Sequence, residues 1–98
     1  MNRDIKEIKD KIRDLFPHIE KKFFVETIEI FGSYAKMENS DTSDLDILVS
    51  FSKTPSLLKF IELKNFLSEK LNLQVDLVLK DSLKESIKDY ILNETIKL

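Results

Sequence analysis

The stretch that decides the fold is residues 27–49, which read TIEIFGSYAKMENSDTSDLDILV. Its first five residues alternate polar with β-branched or aromatic side chains, so they predict a strand that ends at Gly32. Residues 44–51 predict a second strand, with Leu, Ile, Val and Phe on one face and aspartates on the other. Residues 33–43 predict a short helical turn and a polar loop. Gly32 is the only glycine of the chain, which indicates that the turn requires it.

Helices are predicted on both sides of this stretch. Residues 2–16 carry Ile and Leu at spacings of three or four, the period of one helix face, and Pro17 is predicted to end that helix. A second helix is predicted to run to about Leu71, with Thr54 as its N-cap and Pro55 in its first position.

The last part of the chain adds one strand and one helix. Residues 74–79 predict a third strand, with Asp76 on the face opposite its apolar residues, and residues 82–85 fit a capping box ahead of a helix over 83–91. The order of elements predicts an α/β (α+β) fold. We expect a small three-stranded mixed sheet with helices packed on one face.

Composition limits the class of protein. The 98 residues suit a single domain, residues 1–98, and 42% hydrophobic residues can fill one core. A net charge of −2 argues against direct nucleic-acid binding. The absence of cysteine excludes disulfides and thiolate metal sites, and a single histidine excludes a multi-histidine site. No apolar run is long enough for a membrane span and no secretion signal is present, so we expect a cytoplasmic protein.

Three aspartates lie on predicted strand faces, where aspartate is normally depleted: Asp44, Asp46 and Asp76. Residues i and i+2 of a strand share a face about 7 Å apart, so Asp44 and Asp46 repel each other unless a cation lies between them. Oxygen ligands suit a hard ion such as Mg²⁺ or Mn²⁺, which commonly shares phosphate oxygens with a substrate. The pattern predicts a metal site, and a solvated sheet edge is the alternative.

Gly32 and Ser33 leave the first strand and enter the predicted helical turn. Backbone N–H groups at such a junction are unpaired, and the helix end is partially positive. Glycine lets the backbone approach a bulky anion, and the Ser33 hydroxyl adds a donor. A phosphate-binding turn beside paired carboxylates suits transfer of a phosphate-bearing group, where positioning and charge neutralisation carry the chemistry.

These residues carry a family resemblance. The chain resembles the signature of the DNA polymerase β-like nucleotidyltransferase superfamily at three places: Gly32-Ser33, Ser43-Asp44-Leu45-Asp46 and the strand at residues 75–78. The chain resembles in particular the minimal nucleotidyltransferases, the short antitoxin partners of HEPN-domain ribonuclease toxins, over essentially its whole length. The resemblance implies a nucleotidyltransferase-like core that transfers AMP from ATP to a tyrosine of the toxin.

The resemblance also implies a role for each site residue. Gly32-Ser33 would hold the terminal phosphates of ATP, and Lys36 would lie at the nucleotide. Asp44 and Asp46 would bind the Mg²⁺ or Mn²⁺ that bridges the triphosphate. Asp76 would complete a second metal position and help to deprotonate the attacking hydroxyl, so the three aspartates are both catalytic and metal-binding residues.

Two alternatives stay open at this point. The family usually has Arg-Gly where this chain has Lys36-Met37, and lysine lacks the planar fork that arginine offers to phosphate. That departure favours a binding module that neutralises the toxin by docking alone. Transfer to a small molecule is the other alternative, although similar enzymes usually carry a further domain for it. AMP transfer to the toxin and docking alone both imply a hetero-oligomer with a HEPN-domain toxin.

Overall fold

A computed structural model of the chain describes residues 5–32, 44–82 and 95–98. In chain order its elements are α1 (Ile5–Phe23), β1 (Val25–Phe31), β2 (Leu45–Phe51), α2 (Leu57–Leu71), β3 (Val75–Leu79), a 3₁₀ turn (Lys80–Ser82) and β4 (Ile96–Lys97). The predicted helical turn at 33–38 and the predicted last helix at 83–91 lie outside the described residues. Neither α1 nor α2 combines the length and the hydrophobicity that a bilayer-spanning helix needs.

The strands form one mixed sheet in the order β3-β2-β1-β4. β1 pairs antiparallel with β2 and with β4, and β2 pairs parallel with β3. The three predicted strands and their mixed pairing are therefore confirmed, and β4 adds a fourth strand beside β1. The sequence does not predict β4, because two residues are too short to show an alternating pattern. Its position is set by pairing with β1, where the Leu98 N–H donates to the Ile28 carbonyl at 3.2 Å.

The two described helices, α1 and α2, pack on one face of this sheet, as predicted. The core is formed by alternate strand positions and by one stripe of each helix. Its buried residues are Val25, Ile28, Ile30, Leu45, Ile47, Val49, Val75 and Leu77 of the strands, and Ile8, Ile12, Ile19, Phe23, Leu63, Leu67 and Leu71 of the helices. The aspartates lie on the opposite face of the sheet.

The prediction that the first helix ends at Pro17 is wrong. Pro17 lies inside α1, which continues to Phe23. A proline in a helix interior costs about 3 kcal/mol. Burial of Ile19 and Phe23, which are 0% and 1% exposed, contributes about 1.5–3 kcal/mol each. Pro17 itself is exposed, so its ring displaces nothing in the core. The burial of Ile19 and Phe23 therefore outweighs the tendency of proline to end a helix.

The prediction of Thr54 as the N-cap of the second helix is also wrong. The N-cap is Ser56, whose Oγ accepts the backbone N–H of Lys59 at 3.2 Å. A serine three residues ahead of that N–H satisfies one of the unpaired donors at the helix start. Thr54 and Pro55 therefore belong to the link between β2 and α2.

Candidate active site

The candidate site lies on the sheet face opposite the helices. β2 and β3 run parallel, and their register pairs Asp46 with Asp76. Asp46 is half-buried within β2, Asp76 is exposed on β3, and Asp44 is exposed directly ahead of β2. We call these three residues the acidic edge. The structure therefore brings the three aspartates that the sequence singled out to neighbouring positions on two adjacent strands.

Hydrogen bonds hold β2 and β3 in this register. The Leu45 N–H donates to the Gln74 carbonyl at 2.9 Å, which ties the start of β2 to the residue ahead of β3. The Val75 N–H donates to the Ser68 Oγ at 3.1 Å, so the last turns of α2 fix the start of β3. Asn72 ends α2 in the left-handed conformation, at φ 54°, and turns the chain into β3. The carboxylate on β3 is thus positioned by α2 as well as by the sheet.

The charges of the acidic edge act on its central residue. Burial raises the pKa of the Asp46 carboxyl above its usual value, and the negative charges of Asp76 and Asp44 raise that pKa further. Phe31 lies directly opposite Asp46 across the antiparallel pair with β1, which puts an aromatic residue beside the carboxylate. A carboxylate in this position gains from a nearby cation, because the cation offsets both the lost hydration and the repulsion.

Gly32 lies directly after β1, against the side chain of Asp46. Its φ of +74° is in the left-handed region, which side chains other than glycine rarely adopt. A Cβ built on Gly32 would overlap the Asp46 Oδ2 and lie 3.1 Å from the Asp46 Cγ. Glycine is therefore required for two reasons, its backbone conformation and the space that the neighbouring carboxylate occupies.

The acidic edge fits a metal ion that is bound both by carboxylates and by the oxygens of a phosphate group. Among the residues that the structure describes, no three His, Asp or Glu side chains converge as a metal cage. Mg²⁺ is commonly held by one or two carboxylates together with substrate phosphates and water, so it does not need such a cage. Burial and the neighbouring negative charges raise the pKa of Asp46, and such an ion offsets both effects. Asp44 and Asp46 are the residues that would hold it.

Two predicted nucleotide-binding residues, Ser33 and Lys36, lie outside the described residues, and their contacts stay predictions. Three cavities are lined by described residues, and their lining does not include Asp44, Asp46 or Asp76. The largest of the three, about 430 Å³, lies between the start of α2 and β3.

One buried acid on the same face is not predicted by the sequence pattern. Glu29 of β1 is 3% exposed and pairs in register with Leu48 of β2. Its Oε2 lies 3.2 Å from the Lys80 Nζ. That oxygen makes no hydrogen bond of good geometry within the described part of the chain, so its contact with Lys80 is an ion pair held by charge. A glutamate in the middle of a strand is the one sign of this buried acid in the sequence. The alternating pattern alone, however, predicts that Glu29 faces solvent.

Comparison with known proteins identifies the family. A family model described as a nucleotidyltransferase domain matches residues 5–98. The protein adenylyltransferase MntA of Thermococcus cleftensis is 49% identical over 78 residues, which cover 80% of this chain and 79% of that protein. MJ0128 of Methanocaldococcus jannaschii, named as a candidate protein adenylyltransferase, is 48% identical over 82 residues, or 84% of each chain.

Solved structures share the fold. A candidate minimal nucleotidyltransferase gives a TM-score of 0.84 at 28% identity, over 99% of this chain and 98% of that one. A chain of a toxin–antitoxin complex with AMP-PNP gives 0.69 at 25% identity, over 97% and 72%. A chain from the complex of the tri-AMPylated Shewanella oneidensis HEPN toxin with MNT antitoxin gives a TM-score of 0.60 at 25% identity, over 95% of this chain and 66% of that one. The resemblance read from the sequence is confirmed, and the chain belongs to the nucleotidyltransferase domain family as a minimal nucleotidyltransferase.

Proposed function

We propose that this chain is an antitoxin that transfers AMP from ATP to a tyrosine hydroxyl of a HEPN-domain ribonuclease toxin, in a Mg²⁺-dependent reaction. One arrangement carries the proposal: Asp46 is in register with Asp76, and Gly32 turns the chain against the Asp46 carboxylate. Paired carboxylates beside a glycine turn suit the binding of a metal–triphosphate, in which catalysis depends on positioning and charge neutralisation.

In the proposed reaction the toxin hydroxyl oxygen attacks the α-phosphorus of ATP. The new bond joins that oxygen to phosphorus, and the bond from the α-phosphorus to the oxygen that bridges to the β-phosphate breaks. Pyrophosphate leaves with the electron pair of the broken bond. The hydroxyl proton passes to a carboxylate, for which Asp76 is the best placed, because it is exposed and lies beside Asp46.

The remaining site residues bind and orient the nucleotide in this proposal. Asp44 and Asp46 would hold Mg²⁺, or Mn²⁺, which supplies neutralisation of the triphosphate charge when it is bound. Gly32 and Ser33 offer backbone and hydroxyl donors to the terminal phosphates. Lys36 adds a positive charge at the nucleotide.

The relatives support both the donor and the acceptor. One close relative is named a protein adenylyltransferase. One structural neighbour is a toxin–antitoxin complex that contains AMP-PNP, an analogue of ATP. Another is a complex in which the HEPN toxin carries AMP groups beside an MNT antitoxin. With ATP as donor, we propose that the reaction takes place in the cytoplasm.

Intact-mass analysis of the cognate HEPN toxin, incubated with this chain, ATP and Mg²⁺, tests the proposal. The toxin is expected to gain the mass of one or more AMP groups and to lose ribonuclease activity in parallel. The variant Asp44→Asn with Asp46→Asn is the matched control, because it keeps the side-chain volumes and removes two charges. A toxin that is inhibited by the wild-type chain without any change in mass would favour docking alone.

A further inference from the structure

Four large apolar side chains of the described residues are exposed, and they lie at the start of β1 and in the first half of α2. Their exposed fractions are 46% for Phe24, 74% for Leu57, 80% for Leu58 and 43% for Ile61. Leu57, Leu58 and Ile61 follow the three- and four-residue spacing of one helix side. We call these four residues the apolar end. Three exposed apolar residues on one side of a helix, with Phe24 beside the segment that leads into that helix, are typical of an interaction surface.

Phe24 is held in place at the apolar end. Its φ of 60° is in the left-handed region, which is costly for a bulky residue. Its N–H donates to the Glu20 carbonyl at 3.1 Å, and its own carbonyl accepts the Ser52 N–H at 2.9 Å. The second bond joins the start of β1 to the link that leads into α2. The backbone is thus fixed on both sides of an aromatic side chain that remains half exposed.

Cavities flank the link between β2 and α2. One of about 240 Å³ is lined by Phe24 and by the link residues Thr54, Pro55 and Ser56. The other, of about 430 Å³, is lined by the same link residues together with Leu57 and with apolar residues of α2 and β3. Concave apolar surfaces beside exposed apolar side chains fit the projecting side chains of a protein partner. A flat bilayer surface does not fill such cavities.

The Phe24 side of the apolar end carries more positive than negative charge. Among the described residues, those that line the smaller cavity include Lys22, Lys53 and Lys59 and no Asp or Glu. Glu62 lies nearby, 3.9 Å from the Lys22 Nζ and 3.5 Å from the Lys59 Nζ. The Lys53 Nζ lies 5.4 Å from the centroid of the Phe24 ring. A partner surface with an apolar centre and a rim of carboxylates would complement this end in both shape and charge.

We propose that the apolar end is the docking surface for the toxin, which would meet it with apolar side chains bordered by Asp and Glu. The inference rests on the proposed function, because the toxin is the partner named there. A second copy of this chain fits less well, since a two-fold interface would set the same three lysines against each other. Nucleic acid also fits less well, because three of the four exposed apolar residues are aliphatic and do not stack on bases.

This surface is remote from the acidic edge. β1 runs from Val25, next to Phe24, to Phe31, next to Gly32. Seven strand residues span about 20 Å. The toxin would be held at one end of β1 while its acceptor hydroxyl reaches the other. Docking and catalysis are therefore expected to separate in experiments, with loss of docking raising KM and leaving kcat unchanged.

Calorimetry with purified cognate toxin tests the inference. The variant Leu57→Glu with Leu58→Glu changes two exposed residues in the first turn of α2, where acidic side chains are compatible with the helix. Its affinity for the toxin is expected to fall by about tenfold or more. Lys70→Glu changes the net charge by the same amount at the far end of α2 and is expected to bind as the wild-type chain does. Lys53→Glu is expected to weaken binding and to reduce its dependence on salt.

Each other outcome overturns the inference. Unchanged affinity of the Leu57→Glu, Leu58→Glu variant or of the Lys53→Glu variant would place docking elsewhere, and toxin modification that stays normal in that variant would leave the proposed function standing. A wild-type chain that neither binds nor modifies the toxin would overturn both proposals. Sedimentation of the wild-type chain with phosphatidylserine vesicles, lost in the Leu57→Glu, Leu58→Glu variant, would assign the apolar end to a membrane instead.

Discussion

The Asp46 carboxylate occupies the space that a side chain at position 32 would need, because a Cβ built on Gly32 would overlap its Oδ2. Gly32 follows β1 and Asp46 lies in β2, so the contact depends on the antiparallel register that pairs Phe31 with Asp46. The glycine thus shapes the acidic edge directly. Its predicted part in phosphate binding is a separate role, and the two roles can be tested separately.

Gly32→Ala is expected to lower stability and to abolish nucleotide transfer. The added Cβ displaces the Asp46 carboxylate, and alanine is disfavoured at a φ of +74°, at a cost of about 1–3 kcal/mol. Urea unfolding measures the loss. In an Asp46→Ala background the same change is expected to cost less, because the carboxylate that it meets is gone. Strictly additive costs in this double-mutant cycle would show that the contact does not matter.

Asp46→Asn is expected to stabilise the protein at neutral pH in the absence of nucleotide. The pKa of Asp46 is raised in the folded chain, so the folded chain holds this proton more tightly than the unfolded chain does. Binding of this proton therefore stabilises the folded chain at low pH. That stabilisation is lost as the pH rises from 3.8, the ordinary pKa of the carboxyl, through its raised pKa in the folded chain. Urea unfolding across pH should show the advantage of the variant shrinking towards about pH 4. A variant that is less stable than wild type at neutral pH would contradict this.

ATP and Mg²⁺ are expected to bind together, because neither the acidic edge nor the triphosphate is neutralised without the ion. Calorimetry in excess EDTA should show ATP binding that is weaker by about tenfold or more. The variant Asp44→Asn with Asp46→Asn should lose most of this difference. Equal affinities of the wild-type chain with and without Mg²⁺ would exclude these aspartates as metal ligands.

Lys80→Met is expected to destabilise the fold. It leaves the carboxylate of Glu29, which is 3% exposed, without the charge that lies 3.2 Å away. An unpaired buried group costs about 1–3 kcal/mol, which chemical denaturation would detect. Combining Lys80→Met with Glu29→Gln should recover much of the loss, because no buried charge is then left unpaired. If the Lys80→Met variant unfolds at the same urea concentration as the wild-type chain, the ion pair makes no contribution to stability.

The strands and the acidic residues could be predicted from sequence because both signals are local. Alternation along residues 27–31 and 44–51 predicts β1 and β2 within two residues of their bounds. Aspartate in a strand is unusual enough to single out Asp46 and Asp76 without any structure. The parallel register that pairs these two residues is not visible in either strand alone.

The features that sequence could not predict are tertiary. Pro17 satisfies the local rule for a helix end, and only the burial of Ile19 and Phe23 explains why α1 continues. Glu29 has the pattern of a solvated strand residue, and its burial depends on elements that are distant in sequence. The apolar end combines Phe24 with residues of α2 that are more than thirty positions away, so no motif contains it.

The reaction proposed for this chain is transfer of AMP to the toxin, and it differs both from transfer of phosphate and from inhibition by docking alone. Incubation of the toxin with ATP labelled at either the α- or the γ-phosphate distinguishes these three possibilities. With the wild-type chain, α-label is expected to appear on the toxin and γ-label is not, and the Asp44→Asn, Asp46→Asn variant is expected to transfer neither. Label from the γ-phosphate, or an inhibited toxin that carries no label while bound to the wild-type chain, would contradict it.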